Sequence, residues 1–232
     1  MTSRKPDFKR VYMLANEILV VTRTIDTFPY SVKQLAMEQA DVQVCSFKKA
    51  QEKYKIPIKD FGSESAHLEE YMGAHIIFFN EQEEKYRVRF SIGHELGHML
   101  LEHDMNLKKE NPLYGVQEVE ANCFSAQLLM PEQLLRECNN RGYKTDVDYI
   151  IKSFGVSEDA AQRRKNTLAK NNYEWRNRSE KMFDDIIIER NLAFLDKIAP
   201  RRRVERFNSF FYDEEMDMQK ERYSWLDTRR RW

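Results

Sequence analysis

The sequence predicts a mixed α+β fold that is mostly helical and contains one small sheet. Apolar residues recur at helical spacing along much of the chain, beginning with a helix over about residues 7–22. Between the helical segments, residues 74–79 (AHIIFF) form a dense apolar run that is typical of a buried strand. Few strands among many helices indicate a small sheet packed beside a helical core.

The composition excludes several classes of protein. The 232 residues include 38 Lys and Arg and 38 Asp and Glu, so no net charge draws the chain to nucleic acid or to anionic lipid. No run of about 18 apolar residues is present, so we expect no membrane span. The amphipathic N-terminal stretch does not have the pattern of a signal peptide. The three cysteines are far apart, which argues against a disulfide framework and favours a reduced, cytoplasmic protein.

The remaining segments are assigned from their periodicity and their breakers. Residues 32–40 are predicted as a helix and residues 42–47 as a short strand. Residues 48–70 are polar and are interrupted by Pro57 and Gly62, so we expect a loop or an irregular pair of strands there. The later helices are predicted over residues 89–103, 118–130, 131–140, 146–154 and 158–169.

A change of composition near residue 170 predicts a domain boundary. Residues 1–170 would form one domain, in which residues 146–170 resemble a helix-turn-helix. Residues 171–232 are richer in charged and aromatic side chains and would form a C-terminal helical extension, with a long helix up to Pro200.

His94, Glu95 and His98 match the pattern H-E-x-x-H. Helix residues four apart differ by about 40° around the axis and about 6 Å along it, so both imidazoles can face one metal ion. Glu95 is rotated by about 100° from His94, where its carboxylate can hold a water molecule instead of binding the metal. This arrangement predicts Zn²⁺ bound by two histidines, with Glu95 as general base and then general acid.

A catalytic zinc also needs a third protein ligand, which the helix over residues 118–130 can provide. Glu118 shares a helix face with Asn122, which can hydrogen bond to a ligand histidine. Glu120 lies about 200° away around the helix, so one helix cannot aim both acids at one ion. We select Glu118, with Glu120 as the alternative. Small residues at positions 97, 121 and 125 would let the two helices pack closely.

The segments RFSIGHELGHMLLEH (89–103) and EVEANCFSAQLLMP (118–131) resemble the ImmA/IrrE family of zinc-dependent metallo-endopeptidases. Ser125 stands where that family usually has Ala. The resemblance extends over about residues 10–170 and ends there. It implies a zincin-like metallopeptidase core of the gluzincin type, in which a glutamate is the third zinc ligand.

The resemblance also implies a biological role. Members of the family occur on phages and mobile elements or in stress responses, and they cleave a helix-turn-helix repressor to relieve repression of transcription. We therefore expect a protein substrate of this kind. The alternatives are a regulatory protein that keeps the metal but acts by binding DNA or a partner, and a metal-stabilised scaffold.

Two questions stay open at the level of the sequence. Tyr114, His103 and Arg89 are each candidates for the group that stabilises the oxyanion of the tetrahedral intermediate. Arg163, Arg164 and Lys165 lie where a helix-turn-helix could contact phosphates, but packing against the core or docking of a substrate is the simpler interpretation.

Overall fold

The computed structural model describes residues 5–23, 28–61, 63–71, 73–169, 176–201 and 216–220. Contacts between residues divide the chain into two compact units, Met1–Pro200 and Arg201–Trp232. In the second unit the structure describes Arg201, which is not in a helix or strand, and residues 216–220, which are helical.

The described part of the first unit is mostly helical with one small sheet, as the sequence predicts. The strands are β1 (Val42–Ser46), β2 (Ala66–Tyr71) and β3 (Ala74–Phe79). The helices are α1 (Phe8–Val21), α2 (Val32–Met37), α3 (Phe47–Tyr54), α4 (Lys85–Leu100), α5 (Pro112–Leu129), α6 (Glu132–Asn140), α7 (Val147–Phe154), α8 (Glu158–Leu168), α9 (Arg178–Arg190) and α10 (Leu192–Ile198).

The sheet has the order β1-β3-β2 and is mixed. Strand β1 pairs with β3 in parallel, and β2 pairs with β3 antiparallel. Side chains of β3 alternate between two clusters, since Ile77 belongs to the main core and Phe78 to a smaller cluster with Phe47 and Phe61. Both faces of β3 are therefore covered, which explains why its sequence is continuously apolar.

Two predictions of secondary structure were wrong. Residues 48–70 do not form a loop or an irregular strand pair, because they contain most of α3, a short 3-10 helix at Ile58–Phe61, and β2. Only Phe47 and Ala50 are buried on α3, so its sequence carries little helical periodicity. The predicted long helix up to Pro200 is divided into α9 and α10 at Asn191.

Helices α4 and α5, which carry the two sequence motifs, pack closely against each other. A Cβ atom at Gly97 would lie 3.0 Å from Phe124 Cδ1 and 3.3 Å from Ala121 Cα, so only glycine fits this contact without a shift. Ser125 packs against Gly93 and its hydroxyl donates to the Phe90 carbonyl at 2.9 Å. The predicted close approach of these two helices is confirmed.

The two helices of the helix-turn-helix-like segment, α7 and α8, are tied to the core by two arginines. Arg89 Nη1 donates to the carbonyls of Phe154 and Gly155, at 3.1 and 2.9 Å. Arg164 is 2% exposed and donates to the Met130 carbonyl and to Gln127. Arg164 is therefore unable to meet phosphates, whereas Arg163 is exposed.

Helices α9 and α10 belong to the same compact unit as the helices before residue 170. Ile187 of α9 and Leu195 of α10 are fully buried in the main core. Arg190 donates to carbonyl oxygens at the end of α1, including that of Thr22 at 2.8 Å. The change of composition near residue 170 thus does not coincide with a change of packing, and the functional boundary predicted there stays a prediction.

Candidate metal centre

His94, His98 and Glu118 lie together, with one potential ligand atom from each within 4.8 Å of the other two. The two histidine Nε2 atoms are 3.0 Å apart. The Glu118 carboxylate oxygens lie 3.6 Å from His94 Nε2 and 3.4 Å from His98 Nε2. The structure thus brings together the three residues selected from the sequence, two from α4 and one from α5.

The hydrogen bonds of His94 leave its Nε2 free to bind a metal. His94 Nδ1 lies 3.1 Å from Asn122 Oδ1, and because an amide oxygen only accepts, the proton is on Nδ1 and the lone pair on Nε2. Burial lowers the pKa of His94 to about 4, with the nearby His98 as the next cause. A neutral imidazole is the form that binds metals.

Glu118 is charged and oriented for the same role. The nearby His98 is the largest cause that lowers the pKa of the Glu118 carboxyl, and a hydrogen bond from Tyr114 contributes in the same direction. Two neutral imidazoles and one carboxylate are the ligand set that zinc takes in peptidases with one open coordination position. The residues present therefore fit a zinc ion.

Glu95 lies in a cleft of about 300 Å³ beside the cluster, and this cleft is also lined by His94 and Asn122. Burial raises the pKa of Glu95, and a backbone hydrogen bond from Leu68 of β2 is among the interactions that partly oppose this rise. A carboxyl group with a raised pKa is a better proton acceptor than an ordinary surface glutamate.

A second, larger cavity of about 1010 Å³ adjoins the cleft. The two share Arg87, Phe90 and Asn122 as walls. The larger cavity extends between α1, α4, α5 and α8 and is lined largely by apolar and aromatic side chains, among them Tyr12 and Val119. A peptide in the cleft would therefore have an apolar cavity beside it.

The three candidates for oxyanion stabilisation have different surroundings in the structure. Arg89 is bonded to the carbonyls at the end of α7, away from the cluster. The side chain of His103 is 5% exposed and lies behind His98. Tyr114 is partly exposed and hydrogen bonded to the proposed ligand Glu118, so it is the candidate beside the cluster.

Glu120, the alternative third ligand, has other partners. Its Oε2 lies 3.1 Å from His103 Nε2, and its Oε1 accepts from the Asp7 backbone N–H at 2.6 Å. The sequence did not pair His103 with Glu120, since His103 follows the end of α4, Glu120 lies 17 residues later on α5, and no spacing rule connects them.

An α+β fold in which a helix carries H-E-x-x-H, with a glutamate of the next helix facing both histidines, defines the class of metallopeptidase-like proteins. A family model described as the IrrE N-terminal-like domain, peptidase family M78, matches residues 37–166. The chain belongs to this family, and the membership supports a function of the metallopeptidase type and agrees with the resemblance to ImmA/IrrE proteins.

None of the curated proteins compared with the chain matches it. Within the described residues, none of the helices has both the length and the apolar character needed to cross a bilayer.

Proposed function

We propose that this protein is a zinc-dependent endopeptidase in which His94, His98 and Glu118 hold the zinc ion. The observation that carries the proposal is the convergence of these three ligand atoms within 4.8 Å, with Glu95 in the adjoining cleft. Family membership supports peptidase chemistry, and the neutral-imidazole and carboxylate donors favour zinc as the metal.

Zinc at this position supplies Lewis acidity, which polarises the scissile carbonyl and makes water easier to deprotonate. Glu95 follows the ligand His94 in the chain, so its carboxylate faces the cleft, where it takes a proton from the attacking water. The same group then delivers that proton to the nitrogen of the leaving amine. Its raised pKa favours both transfers, since a general acid–base group works best when its pKa is close to the working pH.

Tyr114 is the group that we assign to the oxyanion. Its phenol is hydrogen bonded to Glu118 and burial raises its pKa, so it stays a protonated donor over the neutral range. A donor beside the ligand cluster can shift its hydrogen bond toward the carbonyl oxygen as negative charge develops there.

The substrate that we propose is a helix-turn-helix repressor in the cytoplasm, as the resemblance to ImmA/IrrE proteins implies. The apolar cavity next to the cleft favours a peptide with a large apolar side chain close to the scissile bond. The three cysteines are free, which is consistent with a reducing compartment.

A regulatory protein that acts without proteolysis is the second candidate. Its best support is the exposed Arg163 on α8, but Arg164 beside it is buried in the core. A purely structural metal site has no need of a carboxylate at position 95. The presence of Glu95 in the cleft therefore favours the enzyme.

The first test of the proposal is the metal content of protein purified without added zinc. We expect close to one zinc per chain in the parent, and none in His98→Ala. Glu118→Gln should bind more weakly, because a neutral amide is a poorer ligand than a carboxylate. Zinc retained by both variants at the parental level would exclude this site.

The second test is co-expression with helix-turn-helix repressors, beginning with any that is encoded next to this protein. A shortened repressor in the presence of the parent, but not of His98→Ala, would support proteolysis. An intact repressor together with an unchanged regulatory phenotype in Glu95→Gln cells would favour the non-proteolytic candidate.

A further inference from the structure

A chain of three buried side chains extends from the proposed metal site to the N-terminus of α1. His98 Nδ1 lies 3.0 Å from His103 Nδ1, and His103 Nε2 lies 3.1 Å from Glu120 Oε2. Glu120 Oε1 accepts from the backbone N–H of Asp7, the N-cap residue of α1, at 2.6 Å. The side chains of His98, His103 and Glu120 are 7%, 5% and 6% exposed.

The carboxylate of Glu120, at one end of this chain, determines which nitrogen of each histidine carries the proton. The Glu120 carboxylate accepts from Asp7 and from His103, so the proton of the neutral His103 ring is on Nε2. His103 Nδ1 then carries a lone pair and accepts from His98 Nδ1–H. The lone pair of His98 is thereby placed on Nε2, the atom that faces His94 and Glu118.

We propose that His103 and Glu120 are positioning residues that fix the ring orientation and the tautomer of His98 for zinc, an inference that rests on the proposed metal site. Ligand histidines usually donate their second N–H directly to a carboxylate, a carbonyl or water. Here a second imidazole is inserted between the ligand and the carboxylate, and the N-terminus of α1 stabilises the negative end of the chain.

The proposal explains why α5 carries two acids that one helix cannot aim at one ion. Glu118 and Asn122 face the histidines directly, as a ligand and as the hydrogen-bond partner of His94. Glu120, about 200° from Glu118 around the helix, acts on the same centre from the opposite side through His103. Each ligand histidine is thus oriented from α5, and α1 is coupled to the site.

The test is the zinc dissociation constant measured by competition with a chelator, together with the Co²⁺ absorption spectrum and the melting temperature of the metal-free protein. His103→Phe keeps an aromatic ring but cannot accept from His98, so we expect zinc binding to weaken about 10- to 100-fold and the Co²⁺ bands to change. His103→Gln retains an acceptor and a donor on one group and should recover most of the affinity.

The control and the double variant separate positioning from packing. His75→Phe makes the same chemical change on β3, outside the chain of hydrogen bonds, and should leave the zinc affinity unchanged. Glu120→Gln should weaken zinc binding in the parent but add no further loss in His103→Phe, because the link is already broken.

Three outcomes would overturn the inference. A folded His103→Phe that binds zinc as tightly as the parent would assign the chain to packing alone, and so would fully additive losses in the double variant. If His103→Phe does not fold, His103→Gln and Glu120→Gln are compared, and equal affinities in the two contradict the proposal. A parent that binds no zinc would overturn the proposed function itself, which distinguishes the two failures.

Discussion

Tyr114 and Glu95 are the two side chains beside the ligand cluster that we propose take part in catalysis without being zinc ligands. Both have a raised pKa, in each case mainly because of burial. Their positions differ, since Glu95 lies on α4 and lines the cleft while Tyr114 lies in the first turn of α5 next to Glu118. Their roles can therefore be separated by substitution.

Replacing Tyr114 with Phe tests the assignment of the oxyanion donor. Loss of one such donor lowers kcat by about 10²- to 10³-fold in well-studied hydrolases, while substrate binding changes little. We expect Tyr114→Phe to lower kcat by this order, with KM and zinc content close to those of the parent. The measurement is steady-state kinetics on a peptide that spans the cleavage site. A parental kcat in this variant would show that another group stabilises the oxyanion.

The site residues that the sequence predicts are those fixed by local geometry. His94 and His98 are four residues apart on one helix, and Glu118 was selected because it shares a face with Asn122. The chain from His98 to His103, Glu120 and Asp7 was not predicted, because it joins residues up to 113 positions apart through tertiary packing.

At the scale of elements, the contact between α4 and α5 determines where the ligands meet. Gly97 lies one residue before His98, and the space that a side chain would need there is occupied by Phe124 and Ala121 of α5. Any side chain at this position pushes the helix that carries Glu118 away from the helix that carries the histidines.

Gly97→Ala tests this contact. Alanine is the better helix former by about 1 kcal/mol, but overpacking a rigid contact costs about 1–3 kcal/mol. We expect a net loss of stability in urea unfolding, together with weaker zinc binding. Gly115→Ala is the matched control, because a Cβ atom at Gly115 in α5 meets nothing within 4 Å. That variant should be as stable as the parent or more stable, and a similar loss in both variants would contradict the account.

The elements that the sequence predicts well are those with strong periodicity or a dense apolar run, such as α1, α8 and β3. The start of α5 was placed too late, since Asn111 and Pro112 already provide its cap and first turn. Strand β2 was not recognised because its apolar signal is weak, with Ala66 and Leu68 as its buried apolar residues. Its conformation depends instead on pairing with β3.

At the scale of the molecule, α9 contributes to a buried polar cluster that joins three other helices. Asp184 is 1% exposed and accepts from Gln133 of α6 at 2.7 Å and from Arg176. Gln133 and Gln127 in turn donate to Asn16 of α1, at 3.2 and 2.7 Å. Helix α9 therefore satisfies polar groups inside the domain that carries the metal site.

A protein shortened to residues 1–172 tests this dependence. Its loss of Asp184 leaves buried partners unsatisfied, at about 1–3 kcal/mol for each group. It also exposes the apolar surface that covers Ile187 and Leu195. We expect it to unfold at a clearly lower temperature than the parent or to be insoluble, whereas a protein of residues 1–201 should fold and bind zinc. Equal melting temperatures for the two would support the boundary predicted near residue 170.

Peptidase activity is tested most directly by mass spectrometry of a helix-turn-helix repressor after incubation with the zinc-loaded protein, with Glu95→Gln in parallel. We expect two fragments from the parent whose masses add up to the repressor plus one water. In Glu95→Gln, with parental zinc content and melting temperature, the rate should fall by at least about 10²- to 10⁴-fold, because the amide cannot take the proton. Cleavage by Glu95→Gln at the parental rate would contradict the assignment of Glu95 and, with it, the peptidase mechanism.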